Sequence, residues 1–284
     1  MQAVVKSPSR RVVIAALAVR ELRDALRTRW FLLYSLALMV LAGGLTYIST
    51  VYSGYAGLQG FSRAAAGLVN LMLLVVPLMG LIAGALTLAG ERERKTLGYM
   101  MSQPISAGEF FCGKVAGLAA ALAASLLLSF GVVGVLLGLR RAPLDPAGFA
   151  GFTGLTLLLA MAGLGFGVLI SSAAGRVAQA QGVALFVWFV LVFLGDLGVM
   201  GSVLVTRMRV ESLLFWSLLN PLQVYRLATI AVLSPRLEVL GPAGLYVTSV
   251  LGELLVPLLV GLLVVWVIVP LALAFWLFRR GDMA

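Results

Sequence analysis

Asp196 is the one acid set deep inside an apolar run, in VWFVLVFLGDLG. A charge at such depth costs about 2.5–3.5 kcal/mol on insertion scales, so it needs protein or water beside it. It is a candidate for contact with an ion or substrate, and equally for a hydrogen bond to a neighbouring helix or to the Leu213–Tyr225 segment. Gly108-Glu-Phe-Phe-Cys-Gly113-Lys114 has the GxxxxGK spacing of a phosphate-binding loop. However, Val115 stands where a hydroxyl should hold Mg²⁺, no strand precedes it, and Phe110 and Phe111 stand where bare amides should cradle phosphate. The spacing is a coincidence, and Lys114 reads as a side chain that snorkels to the membrane interface. Met100, Met101 and Cys112 offer soft donors suited to Cu(I), yet methionine on an apolar helix edge is far more often packing. With no His and one Cys in the chain, a His base and an internal disulfide are excluded, and too few soft ligands remain for a metal cage.

The segment that would position any of this is the charged island Gly90–Lys114, GERERKTLGYMMSQPISAGEFFCGK. Glu91 and Lys95 stand four apart, acid first, which supports a helical turn. Leu97, Met100 and Met101 then form an apolar edge at helical spacing. Pro104 cannot continue that helix, and Ser106-Ala-Gly-Glu109 is a capping box opening the next one. The island is therefore expected to be a helix, a break and a new helix. It is either presented to a partner or is a solvated linker.

The composition of the 284 residues, 62% hydrophobic and 11% charged, with a mean hydropathy of +1.08, belongs to an integral membrane protein. The net charge of +10 is spread over loops without a basic run interleaved with aromatics, so nucleic acid is not the expected partner. Val12, Ala15, Val19, Leu22 and Leu26 follow helical spacing opposite Arg20, Arg23, Asp24 and Arg27, the pattern of an amphipathic helix on the membrane surface. A signal peptide would compete for the same residues, but the apolar run Val12–Ala18 is short and continues straight into RELRDALRTRW.

Six spans are expected: Trp30–Ser49, Ala64–Ala89, Phe110–Leu139, Phe149–Ile170, Val183–Val205 and Leu254–Phe278, each reaching the roughly 20 residues a helix needs to cross. With the N-terminus inside, only Arg63, Arg140, Arg141, Arg207, Arg209, Arg226 and Arg236 of the 21 Lys and Arg fall outside, which favours both termini in the cytoplasm. The island and the loop Ser171–Gln179 are then cytoplasmic. Residues 206–253 lie outside, and their apolar runs Leu213–Leu219 and Leu227–Leu233, about seven residues each, are too short to cross. They should form short external or re-entrant helices separated by Asn220-Pro221 and ended by Ser234-Pro235. Gly113/Gly117, Gly134/Gly138 and Gly163/Gly167 are small-xxx-small pairs suited to close helix packing. No internal repeat is evident, so the inverted-repeat plan of many secondary carriers is not supported.

The island resembles the cytoplasmic coupling segment of type-2 ABC transporter permeases, with Glu91, Glu93, Thr96, Leu97, Pro104, Gly113 and Lys114 matching an acidic pair, Thr-Leu, Pro and terminal Gly-Lys. Lys95 replaces the glycine often found before the threonine. ALAVRELRDALRTRW, VWFVLVFLGDLG and LLNPLQVYRL are similar to stretches of the NosY-type permeases of nitrous oxide reductase maturation systems, chiefly through Asp196, Asn220, Pro221, Tyr225 and Arg226. The resemblance implies an all-α integral membrane protein. It would form one permease domain over 1–284: a cytoplasmic tail and interfacial helix (1–29), spans one to five (30–205), an external segment (206–253), span six (254–278) and a cytoplasmic tail (279–284), in the bacterial inner membrane.

It further implies that the chain is not an enzyme and has no catalytic or metal residues. It would pair with a second copy of itself and with two ATPase subunits that bind the ATP and Mg²⁺, and in the narrower family with a periplasmic accessory protein. On this resemblance Glu91, Glu93, Thr96, Leu97, Met101 and Pro104 couple to the ATPase, while Asp196, Asn220, Pro221, Tyr225 and Arg226 form a pathway or external gate. The function implied is export or delivery of a species needed for the copper–sulfur centre of the reductase, in denitrification. Replacing Leu97 or Glu93 should uncouple hydrolysis from transport. The alternatives are a type-2 exporter of another cargo (drug, lipid or ion), an ion-coupled secondary carrier using Asp196, and a membrane scaffold for an assembly factor.

Overall fold

The computed structural model describes residues 9–56, 58–101, 105–139, 145–205, 217–233 and 252–281, the side chains of 30, 49–66, 101, 194, 196–205, 253 and 281 excepted. Among them the regular structure is helical throughout. The helices are α1 (Arg10–Arg27), α2 (Arg29–Ala56), α3 (Leu58–Glu93), α4 (Thr96–Met101), α5 (Ala107–Leu139), α6 (Pro146–Ala173), α7 (Val177–Val205), α8 (Pro221–Leu233) and α9 (Leu255–Gly281), with a 3₁₀ turn at Gly252–Leu254.

Among the described residues five stretches are long and apolar enough to cross a membrane: Phe31–Ile48, Gly67–Glu93, Ala107–Leu139, Pro146–Ala173 and Leu255–Arg280. They match the first, second, third, fourth and sixth expected spans to within a few residues. The described apolar part of the remaining one, Val177–Phe193, falls short of a crossing and belongs to a helix of 29 residues. Some helices outrun the bilayer. At 36 residues α3 is about 54 Å long against a hydrocarbon core of about 30 Å, so it carries its axis directly into the charged island. The N-terminus of α6 also lies earlier than Phe149, because Asp145 accepts from the Ala147 and Gly148 amides and Pro146 occupies the first turn.

Two glycine seams set the packing. Along α3 and α6, Gly80 and Gly84 meet Gly163 and Gly167 so closely that a Cβ on Gly167 would lie 2.3 Å from the Leu81 carbonyl oxygen. Backbone lies on backbone there, which only glycine permits. The second seam joins α1 to α5, where a Cβ on Gly117 would lie 2.5 Å from the Ala18 carbonyl oxygen. The expected third pair does not pack this way: Gly134 faces the Phe149 ring, and a Cβ on Gly138 would have nothing within 4 Å. The face of α1 turned inward carries Leu17, Ala18 and Glu21, with Leu22 beside the apolar cluster. Of the expected apolar stripe only Leu22 packs inward, whereas Val12 and Val19 remain 58% and 52% exposed.

The described core falls into three clusters, a small one of Leu81, Ala85, Ala89, Ala174, Ala180 and Ala184 where α3 meets the α6–α7 turn and two larger ones toward the ends of the bundle. One cluster gathers Leu222, Val224, Tyr225 and Ala228 of α8 with Val76 of α3, Phe130 of α5, Leu159 of α6 and Leu259 of α9. The other gathers Leu97 of α4 with Leu88, Phe110, Phe111, Leu122 and Phe278. Large apolar side chains also cover the outside, among them Leu36, Leu128, Phe186 and Ile268. An apolar exterior on long helices is what a hydrocarbon solvent requires.

Candidate functional site

The elbow between α3 and α5 is built by local backbone chemistry. Helix α3 ends at Glu93, and Arg94–Lys95 form a turn in which Lys95 has φ +58°. That left-handed conformation suits glycine, because a side chain there crowds the following carbonyl. The expected Glu91–Lys95 helical turn is therefore replaced by a chain reversal, and Lys95 ends exposed. The Thr96 hydroxyl instead donates to the Glu91 carboxylate, which ties the first residue of α4 to the last turn of α3. The expected capping box is present: the Glu109 carboxylate accepts from the Ser106 amide at 2.9 Å, and Ser106 Oγ accepts from the Glu109 amide at 3.2 Å.

On α4, Leu97 is buried among Phe110, Phe111 and Phe278, with Met100 packed beside them. The opposite side shows Tyr99, which is 72% exposed. Leu97 is thus an anchor, and Tyr99 is the aromatic that α4 presents outward. The side chain of Met101, and all of Pro104, lie outside the described residues.

Lys114 does not snorkel. It is 5% exposed, and its ammonium lies 2.8 Å from the Glu21 carboxylate of α1 and 3.1 Å from that of Glu91 of α3. One cation between two anions from separate helices joins α1, α3 and α5 at the base of the elbow. With the lysine buried and both carboxylates largely covered, such a cluster is costly to break, because removing the lysine leaves two carboxylates facing one another. A looser pair, Arg10–Glu109 at 3.8 Å, lies nearby at the start of α5.

Residues 92 and 93 point to the turn between α6 and α7. Arg92 Nη1 donates to the carbonyls of Ser172 at 2.7 Å and Ala174 at 3.1 Å. The Glu93 carboxylate accepts from the Val177 amide at 2.6 Å. Ser171 Oγ accepts from the Leu88 and Ala89 amides at 2.9 and 2.8 Å and donates to the Ala85 carbonyl at 2.7 Å.

The other group of candidate residues sits at the far end of α6. Asn220 caps α8: its Oδ1 accepts from the Leu222 amide at 2.9 Å, and its Nδ2 donates to the Leu191 carbonyl of α7 at 2.7 Å. Pro221 takes the first helical position, where its missing amide is no loss. Tyr225 is fully buried. Thr156 gives its hydroxyl proton to the Phe152 carbonyl, so Tyr225 Oη donates to Thr156 Oγ1, 2.9 Å away. Gln223 lies so close to α7 that a Cβ on Gly195 would be 2.5 Å from its Nε2. Arg226 is partly buried on α8. Asp196 lies on α7, and its side chain is outside the described residues. The structure therefore does not gather the candidates into one site. It separates an elbow from a short helix packed into the opposite end of the bundle.

Sequence reasoning missed Glu21, Arg92, Ser171 and Tyr99. Glu21 was the legible one, an acid on a basic helix that faces Gly117 rather than water. The model of the ABC-2 family of transporter proteins matches residues 15–283. The chain belongs to the ABC-2 transporter family. Among ABC-2 relatives it is similar to a probable ABC transporter permease protein, NosY, of Stutzerimonas stutzeri, with 30% identity over 272 residues, 93% of this chain and 97% of that one. A protein of the same description from Pseudomonas aeruginosa is 30% identical over 225 residues, 77% of this chain and 82% of that one. Both groups of candidate residues in this ABC-2 chain, from Glu21 to Arg226, fall inside the matched range.

Proposed function

We propose that the chain is the membrane-spanning subunit of an ABC exporter and that α4, with the turns on either side, is the element a separate ATPase pushes. The observation that carries this reading is the anchoring of α4. A helix of six residues has too few internal hydrogen bonds to hold its own shape, yet Leu97 seats it in the cluster with Phe110, Phe111 and Phe278 and Thr96 ties it to Glu91 of α3, which is itself held by Lys114 of α5. A short helix so held transmits displacement instead of absorbing it.

In the assembled transporter, two copies pair with two ATPase subunits that bind ATP and Mg²⁺, and this chain performs no catalysis. Helix α7 supplies the fifth of six spans, α1 lies at the inner surface, and both termini face the cytoplasm of a bacterium whose inner membrane holds the complex. Asp196, Asn220, Pro221, Tyr225 and Arg226 belong to the outward end, where α8 serves as an external gate beside a periplasmic accessory protein. The likeness to the NosY permeases over nearly the whole chain supports a place in nitrous oxide reductase maturation, with the cargo a species needed for its copper–sulfur centre.

Detergent extraction of the tagged chain, co-expressed with an ATPase encoded beside it, tests the reading. The ATPase should co-purify and hydrolyse ATP faster than it does alone, and Tyr99→Ala should weaken both effects while the permease stays folded. A chain that purifies without any ATPase, or drives uptake under an ion gradient through Asp196 alone, would sink it.

A further inference from the structure

Arg92 and Glu93 are neighbours in sequence with opposite charges, and they cap opposite helix ends. The carbonyls that Arg92 holds, with Ser171 O at 3.4 Å as well as Ser172 O and Ala174 O, are those of the last turn of α6 and of the residue that caps it, which have no amide partner within the helix. They form its negative end. The amide that Glu93 holds belongs to Val177, the first residue of α7 and part of its positive end. Exchanging the two charges would set a carboxylate against carbonyls and a guanidinium against amides, so the order Arg-Glu fits the direction of the chain through the turn. Ser171 adds a link of a different kind. Its hydroxyl lies across the Ala85 carbonyl and the Ala89 amide, which are the acceptor and donor of one turn of the α3 ladder.

We propose that Arg92 and Glu93 are positioning residues that clasp the α6–α7 turn to the elbow, so that the elbow, the start of α5 and the start of α7 move as one body. This rests on the coupling reading above and adds a route to it. Displacement of α4 does not end in α3; it reaches α7, and through the Leu191 carbonyl held by Asn220 it arrives at the head of α8. The glycine seam between α3 and α6 continues the same rigid body along the bundle.

Pulsed electron–electron distance measurement on the assembled complex decides the matter, with spin labels on the native exposed Cys112 and on Gly182→Cys. A side chain at position 182 has open space, with nothing within 4 Å of its Cβ, and neither label lies on α4. With the clasp intact, the distance should be the same with and without ATP and vanadate. Arg92→Ala with Glu93→Ala should broaden the distribution about twofold, as expected when a packed element gains a second arrangement, and make it shift on trapping. Glu93→Gln, which keeps an acceptor for the Val177 amide, should stay close to the parent width. A parent distance that shifts on trapping, an alanine pair that leaves the distribution unchanged, or a Gln variant as broad as the alanine pair would each overturn the clasp. Co-purification of the ATPase with the unlabelled chain is scored first: without it the coupling reading falls and takes this proposal with it, and with it the distances alone judge the clasp.

Discussion

A lysine placed four residues after a glutamate invites a helical pairing, and at Lys95 the backbone refuses it. With φ at +58° Lys95 leaves the helix and ends exposed, and Lys114, which reads in sequence as an interface residue, takes up the pairing with Glu91 from another helix. Charge spacing along one stretch of sequence reports only neighbours on the same helix, so a bridge between residues 21, 91 and 114 has no local signature. What was legible was the mismatch at position 95, where the resemblance leads one to expect glycine. Lys95→Gly should therefore stabilise the permease by up to about 1 kcal/mol, the ordinary penalty of a side chain in the left-handed region, offset in part by the greater freedom of glycine when unfolded. Lys114→Met should do the reverse, costing about 3 kcal/mol by stranding two partly buried carboxylates. Thermal unfolding in detergent should separate the two variants in opposite directions from the parent, and a Lys114→Met protein as stable as the parent would remove the cluster from the account of the elbow.

At the scale of helices the sequence was most informative where a pattern repeats. Runs of apolar residues located the spans, and the Ser106/Glu109 box located the start of α5 to within a residue. The pairs Gly113/Gly117 and Gly163/Gly167 both mark seams, whereas Gly134/Gly138 does not, because a glycine pair states that close approach is possible and not that a partner is there. The partner glycines of α3, Gly80 and Gly84, share the four-residue spacing but became meaningful only once α6 lay against them. Gly167→Val should fail to accumulate as folded protein, since its Cβ alone would sit 2.3 Å from a backbone oxygen that cannot move aside. Gly138→Ala should be neutral to within about 0.5 kcal/mol, as substitutions away from packed sites usually are, with any gain coming from helix propensity. Expression level and size-exclusion profile compare the two directly. Equal yields would mean that the α3–α6 seam is looser than its geometry states.

Across the whole molecule, the candidate residues divide into an elbow and a short buried helix at opposite ends of α6. Loop charge alone assigns the two segments to different sides of the membrane, but what each packs against was not legible, because no pattern within either segment refers to its neighbours. Thr156, at the α8 end, and Ser171, at the elbow end, are fifteen positions apart, about 22 Å along a helix. On the coupling reading proposed above, the two ends should fail differently. Tyr99→Ala removes an exposed ring that makes no part of any core cluster, so it should leave unfolding within about 0.5 kcal/mol of the parent while weakening ATPase binding about tenfold, which is about 1.4 kcal/mol. Tyr225→Phe removes only the proton that Thr156 accepts and leaves the ring packed, costing about 1 kcal/mol of stability. On the maturation role proposed above, it should leave ATPase binding and hydrolysis intact while lowering maturation of the reductase in cells that carry this permease as their sole copy. Co-purification, thermal unfolding and reductase activity measured on the same pair of variants give each a distinct profile. Should Tyr225→Phe lose the ATPase as Tyr99→Ala does, the two ends would not be separate stations, and α8 would have to be understood as part of the elbow's own support.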